Sequence, residues 1–353
     1  MRKVGNNMAG QKTALITGIT GQDGAYLAQL LVQKNYRVVG ASRRASTLNL
    51  PRLADLDVVK DIELCTLDVL DPTNFARVIE EVAPDEIYNL GGQSSVQISF
   101  QQPVYTSEVI ALGTLRMLEM IHLVKPDTRV YNASSSEIFG HGGAAMVTET
   151  TPFQPKSPYG VAKLYAHWAV VNYREAYDLF AASGILFNHE SPLRGMDFVT
   201  RKITATLAQI ACGGQQLLTL GNLDNARDWG FAGDYVEAMW RMLQQDQADD
   251  FIIASGRKNS VRDFVERAAQ AAGLDLVWEG EGVDEIGVER ATGRQLIGLD
   301  TKFYRPSEPD ALVGDIAKAR KQLHWQPSVS FEGLVEMMVE ADMARAGHGQ
   351  VWF

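Results

Sequence analysis

Apolar residues in the first half of the chain follow two alternating rhythms. The run TALITG, from residue 13, is short, apolar and β-rich and stops at Gly18. GAYLAQLLVQKN follows it with apolar residues at helical spacing, and YRVVGASRR reads as a second strand. Together they make one βαβ unit of about thirty residues. The alternation then continues with IELCTLDV as strand, PTNFARVIEEVA as helix, DEIYNLGG as strand, GTLRMLEMIHLV as helix and TRVYNASSS as strand. Strands and helices in strict turn predict an α/β fold, a doubly wound parallel sheet covered by helices on both faces.

Beyond about residue 185 the rhythm loosens. FNHESPLRGMDFVTRKI and LGNLDNARDWGFAGDYV are rich in Gly, Asn, Asp and Arg, a composition typical of loops that carry function. SVRDFVERAAQAAGL begins a helix with Ser260 as N-cap, and KARKQLHWQP and SFEGLVEMMVEADMARA read as two closing helices. The expected organisation is a disordered leader over 1–10 and a nucleotide-binding domain over 11–187 with a return segment near 225–258. A smaller, mainly α, substrate-binding domain is expected over 188–353.

A length of 353 residues suits a nucleotide-binding domain plus a smaller partner, and 46% hydrophobic with 22% charged residues is ordinary for a globular protein. The net charge of −10 argues against nucleic acid or an anionic membrane surface as the main partner. Phosphates can still be bound by a few locally placed arginines. Cys65 and Cys212 lack zinc-ligand spacing and cannot build a disulfide framework. No metal site is expected. No apolar run approaches a membrane span, and the opening MRKVGNNMAG has no apolar core of a signal peptide. A cytoplasmic location is the corresponding expectation.

Gly18, Gly21 and Gly24 sit between the first strand and the first helix in TGITGQDGAYLAQLL. A dinucleotide pyrophosphate meets helix N–H groups at such a turn, which gives the sheet a Rossmann-type reading. The end of the second strand selects the cofactor. An acid there would bind the ribose 2′-hydroxyl of NAD, whereas GASRRAST offers Arg43 and Arg44, suited to the 2′-phosphate of NADP. Asp68, at the end of the third strand, can reach an adenine amino group or serve an ordinary turn.

Tyr159 and Lys163 in YGVAKLY fall one helical turn apart. Free tyrosine titrates near about 10 and is a poor base at neutral pH. A neighbouring ammonium and a cationic nicotinamide would lower that value and allow a phenolate. Ser135, in NASSSE upstream, can hydrogen-bond a sugar hydroxyl and share its proton with Tyr159.

This combination resembles the extended short-chain dehydrogenase/reductase family that acts on nucleotide sugars. Glu137, two positions after Ser135, matches the carboxylate that the 4,6-dehydratase branch uses to remove the C5 proton and help expel the C6 hydroxyl. Epimerases and simple reductases of the family do without it. GITGQDGAYLAQLL, SSEIFG, PKSPYGVAKLYAHW, ILFNHESPLRG, FVTRKI, LGNLDNARDWGFAGDYVEAMW and FYRPSEPD resemble the branch that dehydrates GDP-mannose. The resemblance implies NADP held through the cycle and a homo-oligomer, dimer or tetramer, with the arginine-bearing segment Arg43 to Arg52 near paired cofactor sites. It implies catalytic Ser135, Glu137, Tyr159 and Lys163. It implies cofactor contacts from Gly18, Gly21, Gln22, Asp23, Gly24, Arg43, Asp68, Gln93, Tyr159, Lys163, His189 and Arg194. Substrate contacts are implied for Asn188, Lys202, Arg227, Arg305 and Glu308, whose cations suit a diphosphate and whose carboxylate suits guanine or ribose. Two positions depart from the branch. Ser135 stands where threonine is commoner, and Ser94 follows Gln93 where a larger side chain is usual. A roomier sugar pocket leaves a GDP-heptose open beside GDP-mannose. An NADP-dependent epimerase or reductase on another nucleotide sugar, and a non-catalytic NADP-binding sensor, are the competing readings.

Overall fold

Seven parallel strands form the central sheet of the computed structural model, which describes residues 10–44, 49–140, 146–303 and 312–347. Five come from the first half: β1 (Thr13–Thr17), β2 (Arg37–Ser42), β3 (Glu63–Thr66), β4 (Glu86–Asn89) and β5 (Arg129–Ser135). Ala181–Leu186 and Asp250–Ile253 extend it beyond β5. Across the sheet the order is Asp250–Ile253, Ala181–Leu186, β5, β4, β1, β2, β3. Every neighbouring pair is parallel, so each crossover needs a helix. The order reverses between β1 and β4, the switch point at which doubly wound sheets hold ligands.

The chain divides into two units. Unit 1 comprises 1–187, 233–253 and 315–326, and unit 2 comprises 188–232, 254–314 and 327–353. In unit 1, β1 and β4 are wholly buried. One sheet face packs Leu15, Val39, Ile87, Val130 and Ala181 against Met117, Leu118, Ile121 and Val170. The latter come from the helices Gly113–Val124 and Pro158–Tyr177. The helix Pro72–Val82 starts where Asp71 caps it, accepting from the backbone N–H of Thr73 and Asn74, with Pro72 at its first position.

Polar groups thread that apolar face in register. Thr17 stands opposite Asn89, Asn89 opposite Asn132, and Asn132 opposite Ser183. Thr17 donates to Asn89 at 3.1 Å and Asn89 donates to Asn132 at 3.1 Å. Thr17 Oγ1 also accepts from the N–H groups of Leu90 and Gly91 at 3.1 and 2.9 Å. That bond fixes the loop leaving β4 beside the turn leaving β1.

Unit 2 combines helices with a four-stranded sheet in which Leu276–Glu279, Ile286–Glu289 and Gln295–Leu299 run antiparallel and Leu218–Leu220 joins parallel at the edge. Its core gathers Ile203, Leu207, Phe264, Val265, Leu334, Val335 and Met338 around Trp229. The helix Val261–Ala271 starts with a capping box formed by Ser260 and Asp263, and Phe331–Gly347 closes the described chain. Arg201 and Asp342 form an ion pair within this core, each under 4% exposed.

Candidate active site

The glycine turn follows β1 as its sequence suggests, and its geometry shows why small residues stand there. Gly18 has a φ of +71°, and a Cβ on it would lie 2.7 Å from the carbonyl oxygen of Leu90. A Cβ on Gly24 would collide with the Gly18 carbonyl and lie 2.7 Å from Ile19 Cα. Gly21 is the N-cap of the helix Gln22–Gln33, and no side chain caps that helix. Its first-turn N–H groups and the dipole behind them suit a pyrophosphate, so the turn fits a dinucleotide. Gln22 donates to Asp23 Oδ1 at 3.1 Å within that first turn.

The remaining cofactor candidates of unit 1 lie at the carboxyl ends of strands. Arg43 follows β2 and donates to the Tyr105 hydroxyl at 2.8 Å. Asp68 follows β3 and accepts from the Leu70 N–H at 3.0 Å, so its carboxylate serves a strand-end turn. Gln93 donates to Thr106 at 3.1 Å and accepts from the Ser95 N–H. The segment 45–48, which continues the arginine-bearing stretch, lies outside the described residues.

The four candidates for chemistry converge at the end of β5. Ser135 is the last residue of that strand, and Glu137 lies in the 3-10 turn Ser136–Ile138 that continues it. Ser135 Oγ accepts from the Glu137 N–H at 3.3 Å. A lone pair of the serine is used by this bond, which leaves its hydroxyl hydrogen to be donated elsewhere. Tyr159 and Lys163 occupy the first two turns of the helix Pro158–Tyr177, whose N-cap Ser157 accepts from the Gly160 N–H at 3.0 Å. Gly160 docks the helix onto the turn, since a Cβ there would lie 2.7 Å from the carbonyl oxygen of Glu137. Tyr159 packs with Ile110, Ala111, Ala162 and Ala166 and is buried.

Lys163 donates to the Ala133 carbonyl at 2.6 Å, two residues before Ser135, and its Nζ lies 5.7 Å from the centroid of the Tyr159 ring. Burial pushes its pKa down to about 8, with the carboxylate of Asp23 acting in the opposite direction. The lysine is therefore tied to β5 by its hydrogen bond and to Asp23, at the start of the first helix, by charge. The arrangement places a phenol, a hydroxyl, a carboxylate and an ammonium on the end of β5, the turn that continues it and the helix docked on that turn.

Ser157, Gly160 and the Ala133 carbonyl complete this geometry and were not among the residues singled out from sequence. Ser157 was readable, because a serine directly before a proline is an N-cap signature. Gly160 had no such signal, since a lone glycine in a helix reads only as a weak point.

In unit 2, Asn188 and His189 lie on the strand Asn188–Glu190, paired in parallel with Trp229–Phe231. Arg194 lies 3.0 Å from the buried carboxylate of Glu190 and stacks at 3.5 Å on the Phe198 ring. Lys202, on the helix Val199–Ala211, donates to the Thr219 carbonyl at 2.6 Å and lies 4.1 Å from the Phe303 ring centroid. Burial, then the neighbouring charge of Lys302, lowers its pKa. Arg227 donates to the Ala226 carbonyl at 2.7 Å on the short strand Ala226–Arg227. Arg305 and Glu308 lie outside the described residues. Among the described residues no group of three or more His, Cys, Asp or Glu could hold a metal ion, and no helix is long and apolar enough to cross a membrane.

A parallel sheet in this strand order, a glycine turn after β1 and a tyrosine–lysine pair beside the end of β5 define a protein of the extended short-chain dehydrogenase/reductase class. Solved structures agree on the fold. UDP-glucose 4-epimerase from Thermotoga maritima superposes with a TM-score of 0.80 at 20% identity, covering 95% of this chain and 99% of that one. A dTDP-glucose 4,6-dehydratase from Bacillus anthracis, solved with NAD, gives 0.76 at 19% identity over 94% and 96%. The family described as GDP-mannose 4,6 dehydratase matches residues 15–338. Relatives named GDP-mannose 4,6 dehydratase from Homo sapiens and Sinorhizobium fredii are 50% and 48% identical to the chain. The alignments cover 94% and 96% of this chain and 92% and 98% of those relatives. The chain belongs to the GDP-mannose 4,6 dehydratase family.

Proposed function

We propose that this protein converts GDP-mannose to GDP-4-keto-6-deoxymannose with NADP as its cofactor. Family membership supports the reaction, and the observation that carries its chemistry is Glu137 one short turn past Ser135, with the Tyr159 helix docked on its carbonyl through Gly160. An epimerase or reductase of this fold needs no carboxylate there. A bound nicotinamide supplies a temporary home for the C4 hydride, which ends at C6. Arg43 at the end of β2, with no acid beside it, favours a cofactor bearing a 2′-phosphate.

Tyr159 takes the proton of the C4 hydroxyl, with Ser135 donating its hydroxyl hydrogen to the sugar oxygen. Lys163, carried on the same helix, stabilises the phenolate by its charge. Once C4 is a ketone the C5 hydrogen is acidic, and Glu137 removes it and protonates the departing C6 hydroxyl, which leaves as water. As the hydride reaches C6, C5 takes up the proton that Tyr159 drew from the C4 hydroxyl, which restores the phenolate and leaves water as the only loss. Asn188, Lys202 and Arg227 of unit 2 are assigned to the nucleotide sugar, their cations matching a diphosphate. His189 and Arg194 are assigned to the cofactor. The active species is proposed to be a homo-oligomer, which sedimentation of the purified protein checks.

Glu137→Gln keeps the shape of the side chain and removes the base. The variant should retain NADP binding and lose dehydration by about 100-fold or more, within the range of a general acid–base group. Turnover at the parent rate sinks the assignment of Glu137.

A further inference from the structure

Asp228 occupies a corner of unit 2 between two strand pairings. Before it, Ala226–Arg227 runs antiparallel to Asn259–Ser260, with Arg227 opposite Asn259. After it, Trp229–Phe231 runs parallel to Asn188–Glu190, with Trp229 opposite Asn188. The corner residue is 1% exposed. One carboxylate oxygen accepts from the N–H and the hydroxyl of Ser255 at 2.7 and 2.6 Å. The other accepts from the N–H groups of Gly256 and Gly314 at 3.0 and 3.3 Å. Gly256 has a φ of +78°, a conformation that suits glycine where successive N–H groups turn towards one anion.

A carboxylate in the interior is costly unless donors surround it, and here four converge on it from two distant stretches of chain. Apolar packing or backbone carbonyls could close a simple corner without any charge. The residues on either side explain the expense better. Arg227 directly precedes Asp228, and Asn188 stands opposite the residue that directly follows it.

We propose that Asp228 is a positioning residue of the nucleotide-sugar site: by gathering Ser255, Gly256 and Gly314 it fixes the corner that sets Arg227, on the strand before it, and Asn188, opposite Trp229 on the strand after it. The inference rests on the assignment of Arg227 and Asn188 to the substrate. Asp228 itself touches no substrate. Its effect belongs to binding of the nucleotide sugar and leaves the proton transfers of unit 1 alone.

The test is steady-state kinetics of the full-length enzyme with GDP-mannose, together with NADP titration, for Asp228→Asn, Arg227→Met and the double variant. In Asp228→Asn an amide nitrogen faces donors on one side, so the corner loosens while its volume is kept. The expected result is a KM raised about tenfold with kcat held within about twofold and NADP affinity unchanged, the pattern of lost uniform binding. Arg227→Met should raise KM similarly, and the double variant should add little, because the two residues act as one unit. A role confined to stability would lower the active fraction, and with it kcat, without moving KM. If Arg227→Met raises KM and Asp228→Asn does not, the inference about Asp228 is overturned and the substrate assignment stands. If Arg227→Met leaves KM unchanged, the assignment of Arg227 itself fails. Should Asp228→Asn not fold, Ser255→Ala removes one donor only; a KM rise of about threefold supports the inference and an unchanged KM overturns it.

Discussion

Raising the pH should switch off this enzyme through Lys163 at a pH about two and a half lower than an ordinary lysine would. Burial beside β5 holds the ammonium near a pKa of about 8, against an ordinary value of 10.5. If activity requires the ammonium, its fraction falls from about ten in eleven at pH 7 to about one in eleven at pH 9, so kcat/KM drops about tenfold across that interval. A lysine titrating at its ordinary value would lose only a few per cent. The carboxylate of Asp23 pushes the lysine upward, so Asp23→Asn should move the falling limb to lower pH. The same shift leaves a mark on stability. The unfolded state binds more protons than the folded one between pH 8 and 10.5, so the burial penalty of Lys163 is present below pH 8 and relaxes as the pH rises through that window. The assay is product formation by proton NMR from pH 6 to 10, at NADP and GDP-mannose concentrations that give kcat/KM. A falling limb near 10 in the parent, or one that Asp23→Asn does not move, refutes the coupling.

Asp342→Leu should destabilise the protein by about 3–5 kcal/mol, because it leaves the buried guanidinium of Arg201 without its counter-charge. Urea unfolding measures it, and the double change Arg201→Met with Asp342→Leu should restore part of the loss, since Arg345 also loses Asp342 as a partner; a double variant no better than the single contradicts this. Arg43→Ala removes a charged donor at the end of β2 and should weaken the preference for NADP over NAD by roughly 10- to 100-fold, read by titrating both cofactors. An unchanged preference would place the 2′-phosphate elsewhere.

The parts of the fold that could be read from sequence are those governed by short-range periodicity. β1 to β5 and the helices Gln22–Gln33, Pro72–Val82 and Gly113–Val124 each announce themselves by an apolar spacing of two or 3.6. Between β4 and β5 the sequence pattern showed only the last of these helices. The structure begins helical at Val96 and passes through a π-helical stretch, Glu108–Leu112, before it. Such a stretch leaves little trace in an apolar pattern, because it widens one turn without changing composition.

Unit 2 was less legible for a different reason. Its strands are two to five residues long, too short for alternation to show, and several meet partners dozens of residues away. The candidate site follows the same division. Ser135, Glu137, Tyr159 and Lys163 lie on β5, the 3-10 turn after it and the helix Pro158–Tyr177, and of their relations only the one-turn spacing of Tyr159 and Lys163 could be read from sequence. Asp228 was invisible, because a carboxylate beside an arginine in ARDWGF reads as a surface ion pair until Ser255, Gly256 and Gly314 are seen around it.

The most direct test of the central claim is proton NMR of the purified protein with GDP-mannose and a trace of NADP⁺, with absorbance at 340 nm followed alongside. A new C6 methyl signal is expected while no NADPH accumulates, since the hydride removed from C4 ends at C6. Inversion at a ring carbon with the C6 methylene retained, or NADPH formed in step with substrate loss, would contradict it.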